Sequence, residues 1–366
     1  MIHTFDLSYH INKEIFESIF AYLRHKGNTY KKHPDHKYYV NNFWNCKGIS
    51  AVTLCIDKRG YSLEFTISPK IIYEEDESAL FIKDDLRLLR KKFSSFINEL
   101  NYNIVPYILP TDIDMYALRR LDYTMDFSFP SPGLAINIFS KGLVPYGFNV
   151  KVDWNYCYKL SSKRYNYLVY DKSYDLQNKY GLTDVSSRLR VEVQNHRCGL
   201  KKIASEYGLD KINLSNLWSD EICRNELKRA IKCMVGDKPF TTYDNLKRAI
   251  YESDLPWSYK KSAEGLIMLL NYHAMSLTDI KKLERAYGDN DEFINQMLEI
   301  KKRINKDGKY LTKKKRCNLT KSIKNVSFHQ AKMYVERVGY SPILLPDGCQ
   351  CEYLGSIVDM VDEKRV

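Results

Sequence analysis

The chain has 366 residues, 44% of them hydrophobic and 28% charged, which supplies apolar cores for two domains. Lys and Arg exceed Asp and Glu by 57 to 45, a formal +12, and this balance favours a polyanionic partner, nucleic acid before anionic membrane. The longest apolar run, GLIMLL, is far too short to span a bilayer, so a soluble protein without a membrane partner is expected.

Nine scattered cysteines, an odd number, do not make a disulfide framework, and a reducing cytoplasm is the expected compartment. Cys349 and Cys351 are one residue apart, but no second pair lies at zinc-finger spacing. The 29 tyrosines accompany abundant Lys, Asn and Ile, as in an AT-rich genome, so they do not by themselves point to stacking or catalysis.

Along the chain, FDLSYHI alternates as a strand, KEIFESIFAYLRHKG has helical spacing with a glycine stop, and VTLCIDKRGYSLEFTIS predicts a hairpin. His33 and His36 in HPDH fit a solvent loop better than a metal site. DDLRLLRKKFSSFINEL predicts a helix with Asp84 and Asp85 at its start and Leu86, Leu89, Phe93, Phe96, Ile97 and Leu100 on one face. Three further strands, RRLDYTMDF, RYNYLVYD and RLRVEVQ, give the first half an α+β character.

Beyond residue 200 the pattern turns helical, with helices expected near 200–207, 213–235, 243–253, 258–274, 278–287, 291–304 and 327–337. Ser327 is the expected N-cap of the last and Gly339 its stop. The expected division is an α+β domain over 1–200, an antiparallel sheet with packed helices, followed by a mainly helical domain over 201–366. Within the latter, residues 301–324 hold eleven basic side chains against one acid, a density that favours a phosphate-contacting surface of Lys301, Lys302, Arg303, Lys313, Lys314, Lys315 and Arg316 over a solvated helix face or mobile loop.

Strand alternation then sorts the acids, because side chains repeat a face every second residue. Tyr61, Leu63 and Phe65 leave Glu64 on the other face; Leu121, Tyr123, Met125 and Phe127 leave Asp122, Thr124 and Asp126; Leu189, Val191 and Val193 leave Arg190, Glu192 and Gln194. If these strands are neighbours, Glu64, Asp122 and Glu192 converge, and close carboxylates need a cation, for which oxygen ligands favour Mg²⁺ or Mn²⁺. The alternative is that each acid merely faces water on a one-sided antiparallel sheet. In YNYLVYDK, Asn166, Leu168 and Tyr170 share a face on which Lys172 follows, and a phenol needs a neighbouring cation to act as a nucleophile. Tyr167 and Tyr174 offer the same chemistry.

The segments SLEF (62–65), RLDYTMD (120–126), LVYDK (168–172) and RVEVQ (190–194), in this order, resemble the rolling-circle replication initiators and relaxases of Gram-positive plasmids, integrative elements and phages, the trans-acting replication initiation factor family. The likeness covers about residues 55–200. It implies that Tyr170 is the DNA nucleophile, that Lys172 assists it, and that Glu64, Asp122 and Glu192 hold a divalent metal. Gln194 stands where the family pattern has a second acid, and YKLSSKRYNY replaces the Gly-rich turn that often precedes the tyrosine strand.

The resemblance further implies an enzyme that nicks a replication origin through a 5′-phosphotyrosine, with duplex origin and single-stranded nick site as DNA partners. A host helicase, a host polymerase and a second copy of the chain stand among the candidate partners. Two other readings are open: a relaxase for conjugative transfer, and a non-catalytic sequence-specific DNA-binding protein that reads DNA through a helix pair in SLTDIKKLERAYGDNDEFINQMLEIKKRI.

Overall fold

The computed structural model describes residues 2–25, 37–41, 49–57, 60–72, 85–129, 131–154, 156–183, 185–272, 276–286, 328–346, 349 and 351–363. The architecture is α+β, and the chain divides into two compact units that interleave along it. The first comprises Met1–Ser128, Ser161–Leu168 and Lys172–Leu227; the second comprises Phe129–Leu160, Val169–Asp171 and Lys228–Val366.

The first unit is built on a sheet whose strands are β1 (Ile2–Ile11), β2 (Lys37–Asn41), β3 (Ile49–Asp57), β4 (Gly60–Ile67), β5 (Ala117–Ser128), β8 (Tyr165–Asp171, its last three residues in the second unit) and β9 (Arg188–His196). Their order is β2-β3-β4-β1-β5-β9-β8, antiparallel at every pairing from β2 to β9. The predicted hairpin is β3 and β4, and Gly60 opens β4 at a φ of +111°, which a side chain would resist.

One face of the sheet is the apolar core, and Phe5, Leu7, Phe65, Leu121, Tyr123 and Val193 are all fully buried. The predicted acid-capped helix, α3 (Leu86–Asn103), packs here: Asp85 caps it by accepting from the Leu88 amide at 2.9 Å, and Phe93 and Phe96 meet Phe65 edge-on. Helix α1 (Lys13–His25) sets Phe16 on Tyr61, and α7 (Leu214–Leu217) accepts the Tyr123 hydroxyl at the Leu217 carbonyl, 2.8 Å. The helix expected over 213–235 is two, α7 and α8 (Asp220–Val235), because Trp218 leaves helical geometry at the end of α7 and its ring packs against Phe5.

The second unit contains α4 (Pro132–Ser140), the neighbouring strands β6 (Asn149–Trp154) and β7 (Cys157–Ser161, the last residue in the first unit), α9 (Tyr243–Glu252), α10 (Trp257–Tyr272), α11 (Leu277–Ala286), α12 (Phe328–Arg337) and α13 (Ile357–Glu363). A two-residue pairing joins β10 (Phe240–Thr241) to β11 (Tyr353–Leu354). Gly142 follows α4, where an added Cβ would overlap the Met234 carbonyl oxygen, and this contact lets the Leu143 amide reach that same carbonyl at 2.7 Å. Tyr259 on α10 stacks on Tyr334 of α12 at 4.2 Å. Among the described residues no helix is long and apolar enough to cross a membrane. The helix expected at 291–304, Ser327 and the basic segment 301–324 lie outside the described residues.

Candidate active site

The second face of the sheet in the first unit is polar and yet closed to solvent along β5 and β9. Asp122, Thr124, Asp126, Arg190 and Glu192 each retain 4% or less of their exposure. The reading in which alternation merely exposes these acids to water therefore does not hold for Asp122 and Glu192. Register explains why they meet: Asp122 lies opposite Gln194 and Thr124 opposite Glu192, which makes Asp122 and Glu192 diagonal neighbours on one face.

A β-bulge supplies the first countercharge. On β1, Asp6 pairs with Arg120 and Leu7 with Leu118, so Arg119 is the extra residue and both arginines leave the apolar face. Arg120 bonds Asp122 at 3.0 Å and Asp6 at 3.3 Å, bridging two strands. Thr66 on β4 donates to Asp6 at 2.9 Å. Asp6 and Arg120 are site residues that the motif reading left out, although FDLSYHI places Asp6 between Phe5 and Leu7 by the same alternation.

Glu192 is held from two sides. His3 Nδ1 lies 3.4 Å from one carboxylate oxygen, and the Gln194 amide donates to the other at 2.7 Å while accepting from Asn166 at 2.9 Å. A carboxylate at position 194 could not make that donation, so the departure at Gln194 from the family pattern has a structural use here. Burial, and next the Glu192 charge, push the Asp122 carboxyl well above the usual carboxylate range, against the pull of Arg120. Burial also raises Glu192, but His3, Gln194 and Arg190 outweigh it and hold that carboxyl at about 2. The pair thus divides in proton affinity, with Asp122 the weaker acid and Glu192 the stronger.

Glu64 stands apart from both. It faces Ser8 on β1, whereas Asp122 faces Thr4, four residues further along that strand. That places Glu64 about 13 Å along and about 10 Å across the sheet from Asp122, beyond any shared ion. Its partner is Arg119, 3.5 Å away and itself about one-third exposed. Among the described residues no three His, Cys, Asp or Glu side chains are grouped to hold a metal. The expected three-carboxylate site is not assembled in this arrangement; two acids meet, with Arg120 as the cation between Asp122 and Asp6.

Strand β8 ends sooner than its sequence pattern suggests. Lys172 opens helix α5 (Lys172–Tyr180) and does not follow Tyr170 along the strand; its ammonium is buried and bonds Asp175, one turn on, at 2.8 Å. Burial of Ser173 and Leu176 fixes the helix locally, and the Ser173 hydroxyl accepts the Arg188 amide at 3.0 Å. Of the three tyrosines, Tyr167 is buried and stacks on Tyr165, Tyr174 is exposed on α5, and Tyr170 is half-buried. Tyr170 belongs to the second unit, and Lys172, Asp122 and Glu192 to the first. His33, His36 and the basic residues Lys301, Lys302, Arg303, Lys313, Lys314, Lys315 and Arg316 lie outside the described residues.

No protein-family model matches the chain, and no curated protein matches it.

Proposed function

We propose that the protein is a tyrosine-dependent DNA strand transferase that nicks and closes a replication origin to start rolling-circle replication. The observation that carries this reading is the buried Asp122 and Glu192 pair at the centre of an antiparallel sheet, on strands that bear the motifs of the resemblance. Buried acids with divided proton affinities are characteristic of sites that handle protons and charge. A net charge of +12 supports a polyanionic substrate.

In the proposed reaction the Tyr170 oxygen attacks the scissile phosphorus as its phenolic proton departs. The bond from phosphorus to the 3′-oxygen breaks, and that oxygen leaves as a 3′-hydroxyl carrying a proton. The product is a 5′-phosphotyrosine, and reversal restores the phosphodiester without an external energy source. No step is assigned to a metal ion, and the Mg²⁺ or Mn²⁺ expected from the sequence is left to the assay.

The test incubates the protein with supercoiled DNA of its own replicon, with Mg²⁺, with Mn²⁺ and with chelator, beside a Tyr170→Phe variant. The expected outcome is a nicked product bearing covalent protein that the variant fails to make while still binding DNA. Unchanged nicking by the variant moves the nucleophile to Tyr174, the exposed tyrosine of α5. No cleavage by either protein under any condition supports the non-catalytic DNA-binding reading.

A further inference from the structure

The proposed reaction makes no use of the C-terminal cysteines. In the second unit, the sulfurs of Cys349 and Cys351 lie 3.3 Å apart, each half-buried. The chain on both sides of them is fixed. Upstream, the Cys349 amide donates to the Pro346 carbonyl at 3.2 Å, and the Leu345 amide to the Thr241 carbonyl at 3.0 Å. Downstream, the Glu352 carbonyl accepts from the Thr241 hydroxyl at 2.8 Å, and β11 pairs with β10 immediately afterwards. Two thiols are therefore held in contact by backbone bonds that do not involve the sulfurs.

We propose that Cys349 and Cys351 are a reversible oxidation site that closes to an intramolecular disulfide when the surrounding thiol pool becomes oxidised. A disulfide bond is about 2.05 Å long, so closure needs a movement of little more than ~1 Å, within the reach of side-chain rotation. The oxidant is a small-molecule disulfide such as oxidised glutathione. One protein thiol loses its proton and attacks a glutathione sulfur, expelling the first glutathione thiolate. The second protein thiol loses its proton and attacks the mixed disulfide at the protein sulfur, expelling the second. Two electrons pass from the protein to the small disulfide, and the two protons pass to the departing thiols. In a reducing compartment such pairs stand open and close transiently, which is the usual behaviour of redox-responsive thiols there.

The test equilibrates the full chain with reduced and oxidised glutathione at graded ratios, then quenches, alkylates and digests with trypsin. Residues 338–364 form one tryptic peptide containing these two cysteines and no others. The expected result is that this peptide becomes two hydrogens lighter and escapes alkylation as the ratio turns oxidising, with the closed form exceeding half and reverting on reduction. Cys198, exposed and away from this pair in sequence, serves as the control that takes at most one glutathione. A Cys349→Ser variant should leave Cys351 alkylated or carrying one glutathione. Two alkyl groups, or two glutathiones, on the wild-type peptide at every ratio would overturn the proposal.

Discussion

Two arginine–carboxylate pairs on the polar face of one sheet have the same chemistry and different surroundings. Arg190 grips Asp126 with both Nε and Nη2, and each partner retains 4% or less of its side-chain exposure. Arg119 meets Glu64 at 3.5 Å through one nitrogen, with about a third of each side chain in water. Both acids interrupt an apolar alternation, so the strand pattern treats them alike. Their difference comes from lateral position: Asp126 and Arg190 are directly opposite on β5 and β9, whereas Glu64 lies on β4 near the bulge at Arg119. Depth in the sheet, which alternation does not encode, determines how much each pair contributes.

The largest effect expected from this contrast is at Arg190. Arg190→Leu removes the guanidinium that balances a buried Asp126 and should cost about 3–5 kcal/mol, read as a lowered urea midpoint. Adding Asp126→Leu removes the stranded charge and should recover most of that loss. A single variant as stable as the wild type would mean that Asp126 has another sufficient countercharge.

The same contrast marks what the sequence made legible. Hairpin, capped helix and α+β class follow from local signals: Gly60 at a turn, Asp85 before an apolar stripe, and strands of period two. The meeting of Asp122 with Glu192 was legible only as a condition on strand order. Glu64 shows the limit, since the register that sets it four residues away along β1 depends on long-range pairing and on a bulge invisible in RRLDYTMDF. Lys172 shows another, because Asp175 one turn on offers its ammonium a partner in a helix that an extended chain would not provide. Asp6, His3 and Arg120 lie outside the acid positions of the motifs, yet they bond the two central acids or bridge them to β1.

A pair whose carboxylate alone lies at intermediate depth tests whether the trend is graded on the acid's side. Asp114, in the 3₁₀ turn Ile113–Met115, accepts from Arg90 at 2.7 Å and from the Ser215 amide at 3.1 Å, tying α3 to α7. Burial raises its carboxyl, but the Ser215 hydrogen bonds and Arg90 outweigh that and leave it below the ordinary aspartate value. A carboxylate depressed in the folded state contributes stability above its unfolded pKa and loses it as pH falls through the folded value. Asp114→Asn should therefore cost about 1 kcal/mol near neutrality, since Arg90 is half-exposed and screened. The gap to wild type should narrow as the solution is taken from pH ~5 to below ~3.5. A gap that is constant over that range would assign the effect to lost hydrogen-bond geometry alone.

Glu64→Gln should have the smallest effect, within about 0.5 kcal/mol of wild type at any pH between ~5 and ~8. About a third of each side chain is in water, the single contact is long, and the amide can still accept from Arg119. The same substitution also separates stability from chemistry. If Glu64 belongs with Asp122 and Glu192 only in the family pattern, Glu64→Gln should keep wild-type nicking in the supercoiled-DNA assay. A protein of unchanged urea midpoint that loses nicking would instead place Glu64 at the DNA, about 13 Å along the sheet from Asp122, as a contact to substrate and not as part of the central acids' network.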